Sequence, residues 1–233
     1  MNRYFNIVLR KLSIPTAIWM VALLTVGLGA GTYVFASGTS NFTQTINAGS
    51  LAIDIVNGSY VTVGSPSVTM SAATFSFSCQ TATGAFGSAT EQIYVSNPDA
   101  ADNGWTASLA ASATTDVWDS AGTDYDFNDA SGSGCTDGAD ADGFGGQMTV
   151  DASGGTLAVG NCSTCVTTNV TKGTSDAYEE GSTDSITILT GAAGSDDIGD
   201  WTLQGVSISQ EVPAEQPAAA DYDIDMVLSV AAS

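Results

Sequence analysis

Apolar and polar residues alternate with a period of two in short runs along the chain beyond residue 40. In the clearest run, the last one, Tyr222, Ile224, Met226, Leu228 and Val230 alternate with Asp221, Asp223, Asp225, Val227 and Ser229. Such alternation is typical of a strand with one buried face and one solvent-facing face. About ten such runs, separated by clusters of Gly, Ser, Asn and Asp, predict an all-β fold. The expected architecture is an antiparallel β-sandwich, Ig-like or jelly-roll-like.

The same pattern places further strands and two interruptions. Other alternating runs lie at 51–55, 75–77, 105–109, 186–188, 201–203 and 206–208. Residues 111–146, rich in Asp, Gly, Ser and Ala, predict a long acidic loop, and 212–220 is a proline-containing link to the last strand. Trp105 and Trp201 alternate with Leu109 and Leu203, which favours core packing, whereas exposed tryptophans would be available to stack on sugar rings.

The N-terminus has the composition of an export signal. Residues 1–12 carry three positive charges and no negative one, and an apolar run follows from 14 to 35. This pattern predicts an N-terminal hydrophobic helix within 1–36, which is either a signal peptide cleaved after Ala36 or an uncleaved membrane anchor. Both alternatives place the β-sandwich domain, 37–233, outside the cytoplasm by the general secretory route, with membrane contact only through the uncleaved leader.

Four cysteines agree with export, because oxidising compartments favour disulfides. Cys162 and Cys165 are three positions apart and suggest a local bridge, which leaves Cys79 to pair with Cys135. The alternatives are a redox-active Cys-x-x-Cys or a metal site. No βαβ pattern and no neighbouring cation favours the first, and only one close cysteine pair is present for the second.

Charge and composition exclude several function classes. From Asp54 onward the chain carries 25 acids against one base, Lys172, and such a surface repels nucleic acid. Histidine is absent, which removes Ser-His-Asp and Cys-His nucleophiles. A Ser-Lys dyad would need Lys172, and no Ser-x-x-Lys motif precedes it. A non-enzymatic protein is therefore expected.

The acidic loop is a candidate calcium site. It contains eight aspartates between Asp116 and Asp142. Flexible, glycine-bearing acidic segments supply the oxygen ligands that Ca²⁺ prefers. The candidate ligands are Asp124, Asp126, Asn128, Asp137, Asp140 and Asp142. Two alternatives stay open: a structural Ca²⁺ site that orders the loop, or a solvated acidic loop with no cofactor.

Two family resemblances follow from longer segments. Residues 48–53 (AGSLAI), 91–109 (EQIYVSNPDAADNGWTASL) and the segment from Val212-Pro213 to Leu228 resemble the WxL family of bacterial cell-surface proteins. Trp201-Thr202-Leu203 is the literal WxL triplet. This resemblance implies non-covalent attachment to peptidoglycan, with Trp105, Trp201 and Leu203 as the wall-binding residues.

Residues 31–55 (GTYVFASGTSNFTQTINAGSLAIDI) are similar to the mature start of camelysin-type biofilm-fibre subunits. That resemblance implies polymerisation by donation of an N-terminal strand, for which residues 37–47 are the candidate donor. The expected function is thus an exported, non-catalytic cell-surface protein. It would bind the cell wall in a WxL-like way, or alternatively form an extracellular fibre or surface layer by self-association.

Overall fold

A computed structural model describes residues 18, 20, 42–99, 103–129, 135–138, 143–193 and 198–233. The chain divides into a unit of residues 1–46 and a unit of residues 47–233, and the second unit contains the twelve strands found among the described residues. The predicted N-terminal helix is not supported, because most of 1–36 lies outside the described residues and only Ile18 and Met20 are seen in helical conformation. Within the described ranges, no helix has the length and apolar character needed to cross a membrane.

The strands form three four-stranded antiparallel sheets, which confirms the all-β, antiparallel prediction. The first sheet has the order β1 (Ala52–Val56), β3 (Gln92–Asn97), β10 (Gly199–Gln204), β6 (Thr156–Val159). The second has the order β2 (Gln80–Phe86), β11 (Val206–Val212), β5 (Gln147–Asp151), β8 (Asp176–Ala177). The third has the order β12 (Met226–Ala232), β4 (Trp105–Ala111), β9 (Ile186–Gly191), β7 (Val170–Lys172).

Glycines carry the chain from the first sheet to the second. Gly205 is the only residue between β10 and β11, and its φ of 71° is a left-handed conformation that favours glycine. Its N–H donates to the carbonyl of Gly87 at 2.7 Å, which is slightly shorter than the usual length of about 2.9 Å. Gly87, directly after β2, also has a positive φ, and a Cβ there would lie 2.8 Å from the Leu203 carbonyl oxygen. The connection from β10 to β11 and the connection that follows β2 are therefore in contact with each other.

One main apolar core joins the three sheets. Trp105 of β4 and Trp201 of β10 lie at its centre, with ring centroids 5.4 Å apart. The Trp201 indole N–H donates to the Val166 carbonyl at 2.8 Å, so the ring is buried with its polar atom satisfied. A register shift between β4 and β9 accompanies the consecutive buried residues Ile188 and Leu189, which strict alternation does not predict.

Two predicted strands differ from those observed. Residues 75–77 form no strand, and the rings of Phe75 and Phe77 are exposed and pack edge to face on each other. They belong to an irregular segment, 57–79, whose path leaves both side chains exposed to solvent. Asp221 to Asp225 keep the predicted alternation of exposure, but β12 begins only at Met226. Before it, Asp223 makes an isolated bridge with Asp119.

Candidate functional site

An apolar groove opens where the first and third sheets expose their edge strands. Its volume is about 620 Å³. Ile53 and Ile55 of β1 form one wall, and Met226 and Leu228 of β12 form another. These four side chains are half-buried and pack against the main core, so the groove is an opening of the core itself. Further lining comes from Val63, Pro66, Ser67, Val68, Met70, Phe86, Leu109, Trp118, Met148 and Ile208.

Both walls of the groove are edge strands. β1 ends the first sheet, and β12 ends the third sheet. The outer side of β1 is partly occupied, because Val63 donates its N–H to the Ile55 carbonyl at 2.9 Å. β12 pairs with β4 along its full length and has no strand on its other side within the described residues. An edge strand beside apolar side chains is a template for pairing with another chain.

Acidic side chains stand at the rim of this groove. Asp54 of β1 and Asp223 and Asp225, just before β12, belong to its lining. Asp54 accepts hydrogen bonds from the Ile55 N–H at 2.8 Å and from the Thr62 hydroxyl at 2.5 Å. The groove therefore combines an apolar floor with a negative rim, which disfavours an acidic occupant.

Residues 42–48 form an exposed segment without regular secondary structure. Phe42 is 92% exposed and Ile46 is 86% exposed, although both side chains are large and apolar. Within the part of the chain that the structure describes, no backbone hydrogen bond involves these residues. The first such bond is the Gly49 N–H to the Pro98 carbonyl at 2.9 Å. In a strand, positions 42 and 46 face the same side, since their spacing is even.

The predicted wall-binding residues lie in the core rather than on the surface. Trp105, Trp201 and Leu203 are each 0% exposed. None of them presents atoms to solvent, and the core packing favoured by alternation is observed. Their role as ligand-contacting residues stays a prediction, which this burial disfavours. The WxL triplet here is part of the interior of β10.

The three described acids among the predicted calcium ligands, Asp124, Asp126 and Asp137, do not form a common group of potential ligands. Asp126 and Asn128 are buried, Asp124 is half-buried and Asp137 is exposed, while Asp140 and Asp142 lie outside the described residues. Asp124 accepts from the Ser120 N–H at 3.1 Å, and the Asn128 side-chain amide donates to the Thr114 carbonyl at 2.9 Å. Among the described acids and cysteines, only disulfide sulfurs joined by Glu211 or Asp200 form groups of three potential ligands. Sulfur in a disulfide is not a thiolate ligand.

The described part of the acidic loop packs against the rest of the fold. It is therefore not a fully solvated loop. Asp129 is 0% exposed, and its carboxylate accepts from the Gly138 N–H at 2.8 Å and the Gly146 N–H at 3.1 Å. Tyr125 and Phe127 bury their rings on either side of Asp126. Alternating aromatic residues, more than the aspartates, are the sequence signal for this anchoring.

Four carboxylates interact at a second place in the acidic region, and only one of them, Asp124, belongs to the predicted ligand set. The charge of Asp124 raises the pKa of the exposed Asp119, and Asp223 and Asp221 act in the same direction. Asp119 therefore binds a proton more readily in the folded state than in the unfolded state. Repulsion at this position destabilises the fold at neutral pH and is relieved as the pH falls through the raised pKa.

We expect Asp119→Asn to raise Tm at pH 7 by about 1–2 °C, because it removes one of the repelling charges. The gain should vanish below about pH 3, where aspartates are protonated in both states. Thermal unfolding followed by circular dichroism across pH measures this, with the exposed Asp176→Asn on β8 as the control. An equal gain for both variants would contradict a local origin.

The two disulfides have the predicted pairing. Cys79 is bonded to Cys135, with Cα atoms 5.7 Å apart, and Cys162 is bonded to Cys165, with Cα atoms 5.5 Å apart. The first bridge ties the residue before β2 to the acidic loop. The second closes a turn whose Cys162 N–H donates to Asp200 at 2.8 Å. Disulfides are typical of proteins in oxidising, extracellular compartments.

Lys172 has a structural position. Its ammonium group donates to the carbonyls of Ser153 and Gly155, the second at 2.6 Å, and so holds the turn between β5 and β6. The amine is thereby directed to backbone oxygens rather than to a serine hydroxyl.

The sequence does not predict the groove, although it predicts the inward-facing residues of its walls. Alternation predicts that Ile53, Ile55, Met226 and Leu228 face inward. It carries no information about which strands end a sheet, and this decides that the four side chains border an opening.

Comparison of the chain with protein-family models, with curated proteins and with solved structures finds no match.

Proposed function

We propose that this protein is an exported, non-catalytic structural subunit that builds an extracellular fibre or surface layer by strand donation. Residues 42–47 of one copy add to the free edge of β12 in a second copy and direct Phe42 and Ile46 into its groove. The observation that carries the proposal is the apolar groove between edge strands β1 and β12. The exposed segment 42–48, which has no regular secondary structure, supplies an occupant of suitable length and polarity.

Length and side-chain spacing support this pairing. The donor of six residues matches β12, which has seven. Main-chain hydrogen bonds to an edge strand supply affinity, and alternate side chains entering pockets supply specificity. Phe42 and Ile46 are among the most exposed large apolar residues described, so their burial is a source of free energy for association.

Charge supports the same segment as the contact between copies. Beyond the leader, the first acid is Asp54, so residues 37–53 carry no charge at all. The rest of the chain is strongly acidic, and two such surfaces repel each other. An uncharged strand can approach the acidic rim of the groove without this repulsion.

In this proposal the fold is an open β-sandwich. The first and second sheets make one bent layer, since β2 leads to β3, β5 to β6 and β10 to β11 through short connections. The third sheet is the opposite layer. Wall binding of the WxL type is not favoured, because the residues assigned to it are buried.

The full chain, kept in solution with a mild detergent, is expected to form filaments visible by electron microscopy. Phe42→Ser/Ile46→Ser should reduce the rate of assembly at least about tenfold, since it removes most of the apolar area of the donor. Light scattering measures the rate. Thr43→Ser/Thr45→Ser, on the other face of the same strand, is the matched control and should assemble as the unchanged chain does.

A chain that stays monomeric at all concentrations would contradict the proposal. Sedimentation with purified peptidoglycan, run in parallel, then distinguishes a wall-binding protein from a subunit of a fibre. Equal assembly of the two double variants would reject residues 42–47 as the donor.

A further inference from the structure

The segment that follows β1 lines one side of the groove. Val63 bonds to Ile55 at the edge of β1, and Ser71 donates its N–H to the Thr83 carbonyl of β2 at 2.6 Å. The Thr83 N–H in turn donates to the Ser71 hydroxyl at 2.8 Å. Residues 64–70, here called the strap, run between these two anchors and contribute Pro66, Ser67, Val68 and Met70 to the lining of the groove.

Side chains, and not the backbone, hold the strap. All of residues 64–70 are described, and no backbone hydrogen bond involves any of them. Met70 packs against the main core, and the strap lies close over Gly84 of β2. A Cβ at Gly84 would be 2.5 Å from Met70 Sδ and 3.3 Å from the Thr69 carbonyl oxygen, so a side chain at this position would displace Met70.

A segment of this kind is inexpensive to displace. Local opening has a low free energy where buried contacts are few and backbone hydrogen bonds are absent. The strap offers the apolar side chains Pro66, Val68 and Met70 to the groove but no backbone pairing, whereas the donor offers Phe42 and Ile46 together with a backbone able to pair with β12. Exchange of one for the other therefore adds main-chain hydrogen bonds that the strap does not make.

We infer that the strap is an internal plug of the groove, which the donor segment of a second copy displaces during assembly. This inference rests on the proposed function and adds its regulation. Because a donor binds only after the strap has left the groove, the apparent affinity for a donor is the intrinsic affinity multiplied by the open fraction. Assembly then starts only where the local concentration of donor segments is high.

A synthetic peptide of residues 37–47 (SGTSNFTQTIN) tests the plug directly. The full chain carries Phe42→Ser/Ile46→Ser, so that its own donor does not compete. Adding Val68→Ser/Met70→Ser should strengthen peptide binding about tenfold by weakening the plug. Val61→Ser is the matched control, because Val61 is 59% exposed and does not line the groove. Fluorescence anisotropy of the labelled peptide gives the affinities.

A cross-link tests the plug from the opposite direction. Because the Cβ position at Gly84 is 3.2 Å from Val68 Cγ1, Val68→Cys/Gly84→Cys places two sulfurs within reach of a disulfide once Met70 moves aside. The oxidised variant should bind the peptide at least about tenfold more weakly than Val68→Cys alone. Mass spectrometry verifies that the Cys79–Cys135 and Cys162–Cys165 bridges are intact.

The outcomes separate the two proposals. Equal peptide affinity for the strap variant, the cross-linked variant and their controls would overturn the plug and leave strand donation standing. No peptide binding by any variant would reject strand donation, and the plug with it. Tighter binding by the serine variant with weaker binding by the cross-linked variant supports both.

Discussion

Replacing Cys79 and Cys135 by serine is expected to lower the free energy of unfolding by about 4 kcal/mol, as the loop-closure model gives for this bridge. The two cysteines are 56 positions apart, and the unfolded chain gains much conformational freedom when a loop of that length is opened. Because domains of this size are typically stable by about 5–15 kcal/mol, the loss is a large share of the total. Urea unfolding of the full chain, followed by circular dichroism, measures it.

Cys162→Ser/Cys165→Ser is the matched control, since it removes the other bridge by the same chemistry. Its cysteines are 3 positions apart, so the same model gives a loss of only about 2 kcal/mol. Neighbouring contacts also remain: Asp200 accepts from the position-162 N–H, and Tyr94 donates its hydroxyl to Asp200 at 2.5 Å. Burial, with the Asp200 hydrogen bond, raises the pKa of Tyr94 to about 12. Equal losses for the two double variants would contradict the loop-length argument.

Trp201→Ala is expected to lower the free energy of unfolding by about 3–5 kcal/mol. The substitution leaves a cavity beside Trp105 and removes the donor to the Val166 carbonyl. Trp201→Phe keeps most of the ring and should cost less, while the exposed Val227→Ala on β12 should change stability little. Denaturant unfolding of the three variants measures these differences.

This series also separates core packing from a wall-binding role. A tryptophan that contacts a polymer at the surface can be truncated with little effect on folding, whereas Trp201 is fully enclosed. A stable Trp201→Ala variant that had lost sedimentation with peptidoglycan would contradict the position of this ring in the core. Loss of stability without a specific loss of wall binding is the expected result.

The sequence by itself determined the class of fold and much of its interior. The alternating runs at 51–55, 105–109, 186–188, 201–203 and 206–208 correspond to β1, β4, β9, β10 and β11, because the side-chain period of a strand is a local property. The pairing of the cysteines was equally accessible, since a spacing of three favours a local bridge and leaves one other pair. The charge of the chain and its lack of histidine favour a non-enzymatic protein, which stays a prediction.

The positions that failed were those whose environment depends on distant parts of the chain. Phe75 and Phe77 alternate like strand residues, yet the course of segment 57–79 leaves them exposed. The spacing of Asp124, Asp126 and Asn128 suggested ligands, which stays a prediction, and only the structure shows that the buried rings of Tyr125 and Phe127 turn that stretch toward the core. An edge strand and a central strand have the same period, and a groove exists only where two edges meet. Only the tertiary structure therefore decided that β1 and β12 border an opening, because strand order is set by pairing between residues far apart in the sequence.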